Sequence, residues 1–449
     1  MEDFTQGRIT RQIMLFALPM LLGNVFQQLY SMADAMVVGR YVGGNALAAV
    51  GVAMTVNQFL TAVLIGLTTG ASVLISQFYG AKDHDRLRRV VSTSIIFLAV
   101  LSVVIGVLGV ALAPALMRLL NADPEIMDDA VLYTRILLGG MVFTVFYNMY
   151  TAYLRALGDS KGPLYILICC TLLNIVLDLI FVVVFRMDVL GVAVATIIAQ
   201  MISAVLCYIH TLRNVPLLKV KKIVFDRGLF GSVIKYGAPA AVQLSLVNLA
   251  SLSITRLINS FGPNAMAGIT AASKIDQLAI MPVSTVSMAL STFVAQNMGA
   301  GKEDRAKKGL RTSVIMMVML ALLLSGLLLY LSPGLISMFL NPEEAATTEI
   351  LTLGREYLSI IVAFYFLFAF LFAFNGFFRG AGDAVIAMVF PVTSLTIRAA
   401  LAHVLVEFAG MGPEALAWSI PAGWGLCSLG SLVYYKKRCW AGKQITTKR

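Results

Sequence analysis

The chain has 449 residues, of which 59% are hydrophobic and only 13% charged, and its mean hydropathy is +0.86. This composition excludes a soluble globular protein and predicts one that crosses a membrane several times. The net charge of +11 would suggest a nucleic-acid partner in a soluble protein, but here Lys and Arg follow the turns between apolar segments, so we expect none. The five cysteines lie at spacings that suggest neither a zinc site nor a disulfide framework.

Twelve apolar segments are long enough to cross a bilayer, because a helix needs about 20 residues to span ~30 Å of hydrocarbon. They lie at 13–38, 47–78, 91–120, 130–156, 163–185, 189–210, 232–260, 265–297, 312–340, 350–378, 384–409 and 415–435. The first runs past the length of a signal-peptide core without a cleavage motif, so we expect it to be retained. The fold class predicted is an all-α integral membrane protein with twelve transmembrane helices.

The distribution of positive charge predicts the orientation in the membrane. Counted from a cytoplasmic start, the termini and the even-numbered turns carry 26 of the 34 Lys and Arg residues. Two turns on the opposite side, at 121–129 and 341–349, are acidic. By the positive-inside rule, both termini are expected in the cytoplasm.

Internal similarity predicts two related halves. ISQFYGAKDHDRLRRV at 75–90 aligns with VAQNMGAGKEDRAKKG at 294–309, and YLRALGDS at 153–160 with FFRGAGDA at 377–384. Because each half has an even number of helices, both start on the same side, and we expect two six-helix bundles related by a pseudo-two-fold axis along the membrane normal. The domains predicted are an N-terminal lobe at 1–210, a basic cytoplasmic linker at 211–235 and a C-terminal lobe with a cytoplasmic tail at 236–449.

Polar residues within three of the apolar segments indicate an ion site. Asn174 and Asp178 are four residues apart, so both side chains project from one face of a helix. Asp34 and Thr196 fall at a similar depth, about 7–11 Å below the outer surface at 1.5 Å per residue. An ionised carboxylate in hydrocarbon costs at least ~3 kcal/mol, so it normally faces a protein interior or a water-filled path. Asp34, Asn174, Asp178 and Thr196 are therefore the candidate cation- or proton-binding residues.

The guest expected at this site is Na⁺ or H⁺. Two carboxylates in an apolar site do not readily both ionise, so they hold a proton or a metal cation, and oxygen ligands suit a hard ion. The alternative is a protonated Asp178 that only joins neighbouring helices by a hydrogen bond. No other cofactor is expected, and the chain lacks a G-x-x-x-x-G-K-[ST] loop that would drive export with ATP.

Further candidates lie in the first and fourth segments. Pro19 removes a backbone hydrogen bond and predicts a bend in the helix, either a hinge or a static kink. Its motif FALPM (16–20) aligns with YGAPA (236–240) in the second half of the chain. Polar and aromatic residues suit the fourth segment to line a cavity: Tyr133, Tyr147, Asn148 and Tyr150. Of these, Tyr133 and Asn148 are the candidate cavity or supporting residues.

The acidic site is not repeated in the C-terminal half. At the repeat offsets Asp34 aligns with Ile254, Asn174 with Arg398 and Asp178 with Ala402. That half carries a different set of charged or titratable residues inside its segments: Arg256, Lys274, Asp276, Arg398, His403 and Glu407. Lys274 and Asp276 are too close in sequence to face each other on a helix, so either each is neutralised by a partner on another helix or they have a functional role. We expect His403 to be a buried, hydrogen-bonded histidine rather than a proton carrier.

The chain resembles the MATE family, the multidrug and toxic compound extrusion transporters, over essentially its whole length. The motifs that carry the resemblance are ALPMLLGN, QQLYSMADAMVVGRYVGGNALAAVG, YLRALGDSKGP, LNIVLDLIF, QFYGAKDHDR and QNMGAGKEDR. The resemblance implies two six-helix lobes in a bacterial cytoplasmic membrane and export of drugs against inward movement of Na⁺ or H⁺. In the DinF-like branch it also implies an N-lobe cation site, which Asp34, Asn174, Asp178 and Thr196 match, with Tyr133 nearby and Pro19 as the bend of the first helix.

The function expected is therefore a cation-coupled antiporter, not an enzyme, that exports amphipathic and mostly cationic compounds. Its partners would be small-molecule drugs and membrane lipids, and we expect a monomer. The alternative is a flippase for anionic lipid-linked precursors, which Arg256, Lys274 and Arg398 would favour because anionic head groups bind arginine. A channel or receptor finds no support, since the chain shows no filter loop or appended cytoplasmic domain.

Overall fold

The structure, a computed structural model, describes residues 2–219, 223–338 and 347–444, without the side chains at 248–253 and 256. These ranges form fourteen α-helices and contain no strand. The all-α class predicted from the sequence is confirmed. The helices are α1 Ile9–Val37, α2 Gly44–Gly80, α3 His84–Leu119, α4 Met127–Gly139, α5 Met141–Ala156, α6 Lys161–Leu179, α7 Asp188–Asn214, α8 Arg227–Asn259, α9 Pro263–Gly299, α10 Glu303–Ser337, α11 Thr347–Ala363, α12 Tyr365–Ala381, α13 Ala384–Glu407 and α14 Glu414–Lys436.

The helices account for the twelve predicted segments. In the described ranges nine helices are long and apolar enough to cross a membrane, and two bent pairs, α4 with α5 and α11 with α12, pass the same test together. Helix α8, at 33 residues, is also longer than a bilayer requires. A multi-pass membrane protein is thus confirmed.

Two of the predicted single helices are wrong, because 130–156 and 350–378 are each broken. The first bends by 49° next to Gly140 and the second by 51° at Phe364. The first break follows the glycine pair Gly139–Gly140, which tolerates a kink. The second has neither Gly nor Pro; there the ring of Phe364 packs 6.0 Å from that of Trp418. Hydropathy does not depend on such packing, so the sequence does not indicate the second break.

Contacts group the chain into two compact units. The N-terminal unit comprises Met1–Asp3 and Leu18–Ala241, and the C-terminal unit comprises Phe4–Ala17 and Val242–Arg449. Helix α1 therefore contributes its first turns to one unit and the rest to the other. The change of unit falls next to Pro19 in α1 and near Pro239 in α8, the two prolines of the repeated motifs.

The first residues are bound tightly within the C-terminal unit. The Phe4 side chain is fully buried, and its ring lies 5.1 Å from that of Phe16 and 5.9 Å from that of Phe293. Its backbone nitrogen donates to Gln296 at 3.1 Å, and its carbonyl accepts from Arg305 at 3.0 Å. The repeated motif at 294–309 thus binds the start of the chain.

Small residues allow the helices to approach closely in each unit. In the N-terminal unit a Cβ atom on Gly70 of α2 would collide with the backbone of Gly237 in α8. In the C-terminal unit a Cβ atom on Gly380 of α12 would collide with the Ser291 carbonyl of α9 and lie 2.8 Å from the Val294 Cβ. Such contacts are typical of helix packing in membranes, where van der Waals contact rather than the hydrophobic effect holds helices together.

Candidate cation site

Two carboxyl groups and one amide meet in the interior of the N-terminal unit. Asp34 projects from α1, and Asn174 and Asp178 from α6; their exposed fractions are 3%, 0% and 0%. With its nitrogen turned toward the carboxyl groups, the Asn174 amide donates to Asp34 Oδ1 at 2.9 Å and to Asp178 Oδ2 at 3.2 Å. The three residues that the sequence placed at one depth thus lie in direct contact.

Four oxygen atoms around this amide bridge lack a hydrogen-bond partner among the described residues. They are Asp34 Oδ2, Asp178 Oδ1 and the hydroxyl groups of Tyr30 and Tyr133, all buried. Both tyrosines lie close enough to the two carboxyl groups to interact electrostatically. Buried polar atoms without a protein partner are uncommon in native proteins, and such atoms suit a bound ion or water.

Thr196 of α7 joins the same group. Its side chain is buried, lies close to Tyr30 and Tyr133, and donates a hydrogen bond of 2.9 Å to the Val192 carbonyl one turn earlier. Since its proton is committed to Val192, the Thr196 oxygen offers its lone pairs to the site. The Val192 carbonyl thus orients the Thr196 hydroxyl.

Apolar side chains enclose the site near the C-terminal ends of α1 and α6. Tyr133 packs in a buried cluster with valines, alanines and a leucine from α2, α4, α7 and the turns that follow α1 and α6. Those turns, Val38–Val42 and Ile180–Val184, are π-helical and contact each other. Single π-helical turns are rare and often occur next to functional residues. Here they begin four residues after Asp34 and two residues after Asp178.

This set of donors fits a hard monovalent cation or a proton. Two carboxyl groups, two phenol oxygens and a hydroxyl offer only oxygen, the ligand type that Na⁺ prefers over nitrogen or sulfur. No group of three or more His, Cys, Asp or Glu side chains that could hold a metal ion occurs in the part of the chain that the structure describes. The residues present thus suit an exchangeable ion better than a resident transition metal.

Two other predicted residues lie apart from this contact. Asn148 is on α5, beyond the break that follows α4, and its amide donates to the Thr144 carbonyl of its own helix at 2.8 Å. Pro19 lies inside α1, fifteen residues before Asp34. Tyr30, which the sequence reasoning missed, is four residues before Asp34; that helical spacing was the signal that could have found it.

The charged residues of the C-terminal unit are arranged differently. Asp276 accepts a hydrogen bond of 2.6 Å from the Tyr365 hydroxyl of α12, a partner on another helix that does not neutralise a carboxylate. Lys274 is exposed. His403 makes the hydrogen bond that was predicted, since its Nδ1 lies 2.8 Å from the Ala399 carbonyl. The predicted burial is wrong, because the side chain is exposed. The side chain of Arg256 lies outside the described residues.

Comparisons with known proteins agree with this architecture. The family model MatE matches residues 19–180 and 239–404, once in each half of the chain. The probable multidrug resistance protein YoeA of Bacillus subtilis (strain 168) is 29% identical over 449 residues, covering 98% of this chain and 96% of that protein. The probable multidrug resistance protein YpnP of the same organism is 28% identical, covering 100% and 99%. A solved MOP superfamily transporter from Pyrococcus furiosus matches with a TM-score of 0.89 at 22% identity over 97% of each chain, which shows the shared fold.

Proposed function

Since this chain belongs to the MATE family, and is thus a transporter and not an enzyme, we propose that it exports amphipathic, mostly cationic, organic compounds in exchange for Na⁺ or H⁺. The observation that carries the coupling is the contact of Asp34, Asn174 and Asp178 in an apolar interior. The names of the relatives YoeA and YpnP support drugs as the exported substrates.

The chemistry of the site favours a bound cation. A single uncharged amide bridges the two carboxyl groups by hydrogen bonds and leaves any negative charge on them unneutralised. A cation or proton between Asp34 and Asp178 would neutralise that charge, and the partnerless hydroxyl groups of Tyr30 and Tyr133 lie close enough to take part. No further cofactor is needed for this exchange.

In our proposal, helix α1 links ion binding at this site to the change between inward-open and outward-open conformations. It carries Asp34 in the N-terminal unit, while its first turns belong to the C-terminal unit, and Pro19 lies where the membership changes. In our proposal, ion binding at Asp34 and drug binding favour different conformations, and a bend of α1 near Pro19 accompanies the exchange. The coupling is reciprocal, so each ligand lowers the affinity for the other.

The orientation and assembly are part of the same proposal. We propose that both termini lie in the cytoplasm of a bacterial cell and the transporter in its cytoplasmic membrane, which the concentration of Lys and Arg in one set of turns supports. The basic turns would meet anionic lipid head groups. We propose a monomer, because one chain supplies both halves of the repeat.

The direct test is ethidium export from proteoliposomes in which a Na⁺ gradient and a pH gradient are imposed separately. We compare wild type, Asp34→Asn and the control Asp128→Asn, which neutralises an exposed acid at the start of α4. We expect one of the gradients to drive export by wild type and by the control, and neither gradient to drive export by Asp34→Asn. The gradient that is effective identifies the ion.

Two results would contradict the proposal. Normal gradient-driven export by Asp34→Asn would show that the acidic site is not needed for coupling. If wild type exported nothing under either gradient, the protein would not be an antiporter. A flippase for anionic lipid-linked precursors would then be tested by competition with such lipids.

A further inference from the structure

A second charged pair lies within the helices of the C-terminal unit. Asp276 is on α9, about 20 Å along the helix from its start at Pro263 at 1.5 Å per residue. Arg398 is on α13, about 14 Å before its end at Glu407. Charged side chains so far from helix ends are expensive in a membrane and mark binding sites or ion paths.

The pair adjoins a broken helix. The Tyr365 hydroxyl that donates to Asp276 belongs to the first residue of α12, directly after the 51° break at Phe364. Transporters of several folds bind their substrates near the middle of the membrane beside such discontinuous helices. The break therefore gives Asp276 the setting of a substrate site rather than that of a buried structural contact.

The two charges are close but not joined. Arg398 interacts electrostatically with Asp276 and with Tyr357. Among the ion pairs of the described residues, however, no nitrogen of Arg398 lies within 4.0 Å of an Asp276 oxygen. Both side chains are partly exposed. Each thus keeps capacity for a ligand group of opposite charge.

An aromatic cluster includes Tyr365, whose hydroxyl donates to Asp276. The Trp424 ring lies 6.4 Å from that of Tyr365 and 5.2 Å from that of Phe368, and Phe368 lies 4.1 Å from Phe372. Tyr365 and Phe368 are buried, whereas Trp424 is partly exposed. An indole face offers both apolar area and a favourable contact for a ligand's aromatic ring or cation.

We propose that Asp276, Arg398 and Trp424 form a binding site for aromatic zwitterions, the class that includes aromatic dipeptides. The ligand's ammonium group binds Asp276, its carboxylate binds Arg398, and a ring packs on Trp424. A ligand with one charge would leave one protein charge unpaired, and that desolvated charge is unfavourable. As a subsite for an exported compound, this inference rests on the proposed function.

The first experiment measures binding to the purified full-length protein in lipid nanodiscs, without any ion gradient. The probes are Phe-Phe, its C-terminal amide, which lacks the carboxylate, and its N-acetyl form, which lacks the ammonium. Each lost charge-assisted hydrogen bond should weaken binding about 10- to 100-fold relative to Phe-Phe. Equal affinity of the three probes, or no measurable binding of Phe-Phe, overturns the proposal.

The second experiment assigns the two charges. Asp276→Asn should abolish the preference for Phe-Phe over its N-acetyl form, and Arg398→Gln the preference over the amide. Lys274→Gln, which removes the exposed charge two residues before Asp276, should leave both preferences intact. Loss of both preferences in Lys274→Gln overturns the assignment, and if a variant does not fold, the probe series on wild type still decides. Because no gradient is used, failure here leaves the ion-coupled export of ethidium untouched.

Discussion

The two units carry different charges at corresponding positions of the sequence repeat. In the N-terminal unit, the Asn174 amide bridges Asp34 and Asp178. In the C-terminal unit, the residue aligned with Asn174 is Arg398, which interacts with Asp276. A charged guanidinium of the protein thus stands at the position where the N-terminal unit has an uncharged amide, so we expect ion exchange in the N-terminal unit only.

The same comparison shows which features the repeat preserves. In each unit, a helix that begins within the repeated motif binds a non-helical stretch of chain. The carbonyl of Phe4 accepts from Arg305 of α10 in the C-terminal unit, and the backbone nitrogen of Val224 donates to Ser92 of α3 at 2.7 Å in the N-terminal unit. The scaffold is repeated, whereas the chemistry inside it has diverged.

The largest expected effect is loss of ion coupling in the N-terminal unit. Asp178→Asn removes one of the two carboxylates, and we expect gradient-driven ethidium export to fall at least ~100-fold, since the remaining partners cannot offset the lost charge. The control is Asp129→Asn, an exposed acid of α4 in the same unit. Equal export by Asp178→Asn and the control would contradict the view that ion exchange takes place in the N-terminal unit.

Stability should respond alike in both units, because the close helix contacts are part of the shared scaffold. We expect Gly70→Ala and Gly380→Ala each to destabilise the protein by about 1–3 kcal/mol through overpacking against a neighbouring backbone. Thermal unfolding in detergent would measure the loss. The control is Gly326→Ala, where a Cβ atom meets nothing within 4 Å; a loss as large there would show that helix contact is not the cause.

A smaller effect is expected at Tyr30. Tyr30→Phe removes one partnerless oxygen beside Asp34 and keeps the ring, so the concentration of coupling ion needed for half-maximal export should rise about 5-fold, near 1 kcal/mol. Tyr330→Phe, at a side chain that is 83% exposed, provides the matched control. An unchanged ion requirement would place Tyr30 outside the ion's coordination.

The smallest effect is local. Arg305 donates to the carbonyls of Phe4, Gln6 and Gly7, so Arg305→Gln should speed hydrogen exchange at residues 4–7 several-fold without changing the unfolding temperature appreciably. Hydrogen exchange with mass spectrometry measures this, with Lys308→Gln as the control. Ser92→Ala is the counterpart in the N-terminal unit: it removes the acceptor of the Val224 N–H and should speed hydrogen exchange at that residue.

Much of the acidic site follows from local sequence properties. Asn174 and Asp178 share a helix face by their spacing, and the positions of Asp34 and Thr196 within apolar segments set their depth. Tyr30 escaped notice because a tyrosine in an apolar helix is more often a packing or interface residue. The breaks at Gly140 and Phe364 escaped because hydropathy continues through them without a change.

The sequence by itself determined the helical class, the number of spans, the repeat and the residues of the acidic site, because hydropathy, charge and helical period are properties of neighbouring residues. Only the tertiary structure decided that the Asn174 amide bridges both carboxyl groups, that Phe4–Ala17 packs with Val242–Arg449, and that Tyr365 donates to Asp276. These contacts join residues far apart in the chain, and they depend on which helices pack together and at what angle.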